Sequence, residues 1–111
     1  VSPHPVAYHT LQLSGADSFL SYLEPAREVL DVRASSSRHA IAGVGGRDVV
    51  IQCERHCSGT PCTTRAIALV TYPRSAEHQV DEYLDRVRAR VPDLHITGRL
   101  PRRDARRTDG D

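Results

Sequence analysis

RHAIAGVGGRDVVIQCER, residues 38–55, is the stretch whose reading decides the fold. Two runs rich in Val, Ile and Ala flank Gly45-Gly46, and glycine there tolerates the positive φ that a tight hairpin requires. The stretch therefore reads as two antiparallel strands. TRAIALVTY, residues 64–72, follows as a further strand, with Ser58-Gly59-Thr60-Pro61 supplying the turn and Pro73 closing the run.

Outward from this hairpin pair, the pattern changes period on both sides. VAYHTLQL, residues 6–13, reads as a strand ended by Ser14-Gly15. Asp17 or Ser18 then offers a helix N-cap, and Phe19, Tyr22, Leu23, Ala26, Val29 and Leu30 recur at helical spacing. Pro25 falls inside that pattern, which predicts a kink or a second helix starting there. Downstream, Ser75 is a candidate N-cap for a helix carrying Ala76, Val80, Tyr83, Leu84, Val87 and Val91 on one face, with Pro92 as its stop and Glu82–Arg86 as an outer ion pair. LHITGRL, residues 94–100, alternates as a half-buried strand.

The element order β, α, β, β, β, α, β predicts an α+β two-layer sandwich. About five largely antiparallel strands would carry two helices on one face, in a ferredoxin-like arrangement or a variant of it. Residues 6–101 form the expected single domain. Residues 1–5 read as a linker remnant and residues 102–111 as a disordered Arg/Asp-rich tail.

A chain of 111 residues fits one domain. Its formal charge of +1 provides no field to steer it toward nucleic acid or an anionic membrane. All fifteen basic residues are Arg, and there is no Lys or Asn, which points to a GC-rich genome. The lack of methionine reads as a processed product or a piece of a longer protein. No apolar run approaches the ~18 residues of a membrane span.

The three cysteines fall at Cys53, Cys57 and Cys62, with His56 beside the second. With Ser58 to Pro61 as the hairpin loop, Cys57 would lie opposite Cys62, His56 opposite Thr63 and Cys53 opposite Ala66. Opposed Cβ atoms sit about 4.5–5.5 Å apart, close to disulfide range, so Cys57–Cys62 is the expected disulfide. Cys53 is then a free thiol, acting as a small buried hydrophobe beside Val49 and Ile51. The alternative is a zinc or thiol centre in a cytoplasmic protein built from Cys53, His56, Cys57 and Cys62. It requires the backbone to turn between His56 and Cys57, because adjacent strand residues face opposite ways.

Other signals are weaker. GVGGRD lacks the Walker Lys and opens a strand, so it reads as a turn and not as a phosphate loop. His9, His39 and His95 lie on three separate strands and could cluster only if those strands were adjacent. Arg99, Arg102, Arg103, Arg106 and Arg107 support a second alternative, a nucleic-acid-binding module using the arginine tail, yet Asp104, Asp109 and Asp111 dilute them. No catalytic or cofactor motif is legible, so a non-enzyme without cofactor is expected.

The reading that results is a non-catalytic binding or assembly domain of an exported or membrane-anchored protein, extracytoplasmic because a hairpin disulfide suits an oxidising compartment. Ile67 and Leu69 project opposite to Val49, Ile51 and Val70, so the central strands are apolar on both faces. Ile67 and Leu69 are thus the interface candidates, covered by a protein partner or a second copy.

Overall fold

Gly45 and Gly46, at φ +58° and +80°, turn strand β3 (His39–Val44) into β4 (Arg47–Ser58). The computed structural model describes residues 7–61 and 63–98; the expected linker 1–5, the tail 102–111 and Cys62 lie outside the described residues. From β4 the chain returns as β5 (Thr63–Pro73), giving a long ribbon whose turn includes Gly59 at φ +82°. Before the hairpins come β1 (Tyr8–Ala16), helix α1 (Leu20–Val29) and β2 (Asp31–Ser35); after them come α2 (Glu77–Arg90) and β6 (His95–Gly98).

Among the described residues the six strands form one sheet in the order β2-β3-β4-β5-β1-β6, with every pairing antiparallel. The α+β class, the antiparallel sheet and the two helices therefore stand; the sheet has six strands where about five were expected. Alternating directions make β1 and β2 run the same way with β3, β4 and β5 between them. In the same way β5 and β6 run together with β1 between them. Each helix thus crosses from one strand to a parallel-running strand that is not its neighbour.

The extra strand is β2, and its residues explain why periodicity missed it. Only Val32 is partly buried, while Asp31, Arg33, Ala34 and Ser35 are exposed, so no apolar alternation marks it. Helix α1 runs unbroken through Pro25, which is buried on the core side. The expected second helix starting at Pro25 does not form. Proline there removes one N–H donor, so the Ser21 carbonyl loses its helical partner, and the burial of Tyr22, Leu23 and Ala26 on the same stripe holds the turns together. Ser18 acts just before this helix, its Oγ accepting from the Leu20 N–H at 3.2 Å. Ser75 is not the cap of α2. It lies in a 3-10 turn, Arg74–Ala76, that leads into Glu77.

The core lies between the helices and one sheet face. Leu11, Leu13, Val49, Ile51, Val70 and Tyr72 meet Tyr22, Leu23, Val80, Tyr83, Leu84 and Val87, all fully buried or nearly so. Small residues line the same sheet face, Ala40, Ala42, Ala66 and Ala68, which lets the helices approach the strands closely. Outside that core the helices are tied by Arg86 to Glu28 at 3.6 Å and by Arg90 to Glu24 at 3.0 Å and Glu28 at 2.5 Å. Arg86 thus reaches across to α1, and Glu82 pairs with His78 at 3.3 Å, in place of the Glu82–Arg86 pair. At Gly15 the ladder of β1 breaks register, and a Cβ there would sit 2.7 Å from the Asp93 carbonyl oxygen.

Candidate functional site

Antiparallel pairing fixes what each strand shows on the face away from the helices. Val50 pairs with Ile41 on β3 and Thr71 on β5, and Leu69 pairs with Gln52 on β4 and Gln12 on β1. Directly opposed residues share a face, so Ile41, Val50, Leu69 and Thr71 form an apolar seam across three strands. All four are partly exposed. Tyr8, opposite Pro73, projects on this side as well and is 47% exposed. The surround is uncharged at its centre, with Thr10, Gln12 and Gln52, and Glu54 and His39 stand toward its margin.

The two interface candidates differ in what they offer. Leu69 is partly exposed at the centre of the seam, whereas Ile67 is only 4% exposed and has little surface left to give. Ile41, Val50 and Tyr8 extend the surface beyond those two. Their signal was present in the strand alternation, since Ile41 and Val50 take the phase opposite to Ala40, Val49 and Ile51.

The edges of the sheet are less inviting than this face. Edge strand β2 is short and carries a register break between Val32 and Ala34, with Arg33 ion-paired to Asp48 of β4. The other edge, β6, has four residues among the described ones. Short, charged or bulged edges resist addition of another strand.

The cysteine segment is straight where a metal centre would need it to bend. Strand β4 runs through Ser58, so Cys53 and Cys57 point to the helix side and His56 to the opposite side, where its Nε2 lies 3.3 Å from Glu54 Oε1. Cys53 and Cys57 are four residue steps apart along the strand, about 13 Å, far more than one ion with bonds of about 2.3 Å can bridge. The Cys53, His56, Cys57 part of the alternative metal set is therefore not brought together; Cys62 lies outside the described residues. Among the described residues no three His, Cys, Asp or Glu side chains are grouped to hold a metal ion. The hairpin register also differs from the expected one by two residues, Cys57 facing Thr64 and Cys53 facing Ala68. The connection begins at Gly59, one residue later than expected, because Ser58 still pairs, with Thr63. An even shift preserves the faces, which is why the alternation remained readable.

Cys53 is a free thiol, 6% exposed, in the core against the helices. Burial pushes it up to about 11, so it stays protonated at neutral pH. Tyr22 and Tyr83 close the same region. The Tyr22 hydroxyl donates to the Ala66 carbonyl at 2.8 Å and accepts from the Ala16 N–H at 3.2 Å. Burial raises both phenols above their ordinary range. These are the marks of a sealed core and not of an activated nucleophile.

The histidines are dispersed. His9 meets Tyr72 in a tilted ring contact with centroids 5.5 Å apart, on the helix side. His39 and His95 share the other face but lie on β3 and β6, with β4, β5 and β1 between them. The arginines beyond Gly98 lie outside the described residues. No helix among the described residues is long and apolar enough to cross a membrane. No protein-family model, curated protein or solved structure matches this chain.

Proposed function

We propose that this chain is a non-catalytic assembly domain whose helix-free sheet face is covered by protein, most simply by a second copy. One observation carries the reading: Tyr8, Ile41, Val50 and Leu69 stay partly exposed around an uncharged centre while the helix side is sealed. An uncharged centre offers no like-charge repulsion to a copy of itself, and two such faces can stack as in a β-sandwich. From strand spacing the face measures about 600 Å². That is below the about 800 Å² per partner of a standard interface, so the expected dimer is weak and exchanges readily.

The crossing pattern of the helices supports a ferredoxin-like ground plan enlarged by the β3–β4 hairpin. The compartment proposed is extracytoplasmic, in an exported or membrane-anchored parent; it rests on the disulfide expected between Cys57 and Cys62, although the strand register sets Thr64, not Cys62, opposite Cys57. The test of the face is mixed-label NMR between copies. Intermolecular cross-peaks should join the Leu69 and Val50 methyls to Tyr8 or Ile41 of another copy, and contacts confined to the helices would reject the reading.

A further inference from the structure

We propose that Phe19, Arg38 and Arg55 form a shelf that binds a phosphate dianion, free or carried as a monoester. The site lies at the start of α1, on the helix side of the sheet and away from the assembly face. Phe19 is half-buried and packs against the core, which fixes its ring. Arg38, in the connection between β2 and β3, places its Cζ 5.7 Å from the ring centroid, and Arg55 on β4 places its Cζ 5.1 Å from it. Both guanidiniums are thus held on one ring, their Cζ atoms no more than about 11 Å apart, a limit set by those two distances to the shared ring.

The backbone under them is tied as well. The Arg38 carbonyl accepts from the Cys53 N–H at 2.6 Å, two residues before Arg55, and the Arg38 N–H donates to Ser36 Oγ at 3.2 Å. Arg33, Arg86, Arg88 and Arg90 each meet a carboxylate. Neither Arg38 nor Arg55 does so among the described residues, and the nearest acid in sequence, Glu54, points to the opposite face toward His56.

Two cations gathered on one aromatic ring without a counter-charge are a site for an anion. A guanidinium held over a ring by its charge keeps its N–H groups for other acceptors, and phosphate oxygens accept such a fork bidentately. A phosphate bridging two such forks spans about 8 Å between Cζ atoms, inside the limit above. Its charge of about −1.5 to −2 at pH 7 matches the pair, which a single carboxylate does not.

The test is a ¹H–¹⁵N NMR titration of the full chain with inorganic phosphate, with glycerol phosphate, and with acetate and chloride at matched ionic strength. Saturable shifts at Phe19, Arg38 and Arg55 are expected with the phosphates. Arg38→Gln or Arg55→Gln should weaken binding at least tenfold, as should Phe19→Leu, which keeps the apolar packing. Arg27→Gln should leave it unchanged. Tighter binding of glycerol phosphate assigns the site to monoesters, and equal binding to free phosphate. Shifts reproduced by chloride or acetate, or retained in the Arg38→Gln/Arg55→Gln double variant, would overturn the proposal.

Discussion

The Tyr83 hydroxyl of α2 donates to the backbone carbonyl of Tyr22 in α1 at 2.7 Å, and the Tyr22 hydroxyl in turn bonds β5 at Ala66 and β1 at Ala16. One relay of two phenols therefore ties both helices to the sheet at the point where β1 breaks register. Tyr22→Phe strands a buried carbonyl and a buried N–H and should cost about 2–3 kcal/mol. Tyr83→Phe removes a single bond and should cost about 1 kcal/mol. Thermal unfolding checks the order, at about 4–8 °C per kcal/mol for a domain of this size.

The alkaline limb of stability follows from the same core. Cys53, Tyr22 and Tyr83 are acids whose folded pKa values are raised, Cys53 from 9.0 to about 11. A raised acid stabilises fully below its unfolded pKa, because only the unfolded chain releases the proton above it. Stability should therefore hold up to about pH 9 and fall as pH rises through 11, with the tyrosines adding to the loss above pH 10. Cys53→Ala should lower stability at pH 7 through its cavity yet reduce the loss between pH 9 and 11. Urea denaturation across that range reads both effects.

Cys57 and Cys62 should be joined and Cys53 free. Under non-reducing conditions the intact mass should be about 2 Da below the reduced mass, the two thiol hydrogens lost on oxidation. One thiol should alkylate, and only after unfolding, since Cys53 is buried. Three thiols reacting in protein prepared without reductant would remove the disulfide and with it the support for an oxidising compartment.

Much of this architecture is written in local patterns. Gly45-Gly46 marks a hairpin whatever surrounds it, and the stripe Val80, Tyr83, Leu84, Val87 can serve only a helix with one buried side. Strand β2 escaped because an exposed edge needs no apolar alternation. The unbroken α1 escaped because burial of Tyr22, Leu23 and Ala26 overrides the local cost of Pro25. The register of β4 on β5 depends on where the turn begins, and Ser58 can either pair or turn, so a slip of two left every face correct and every partner wrong. Of the proposed assembly face, the phase of Leu69 was legible, but the burial of Ile67 was not. The meeting of Phe19, Arg38 and Arg55 joins three segments distant in sequence, and no periodicity encodes it.

The central claim is that the helix-free face joins copies of this chain, and sedimentation velocity over a concentration series tests it most directly. The account predicts a reversible monomer–dimer equilibrium in the micromolar range, weakened at least tenfold by Leu69→Gln with helix content and thermal midpoint nearly unchanged. A wild-type monomer at high micromolar concentration, or a Leu69→Gln variant that unfolds instead of dissociating, would contradict it.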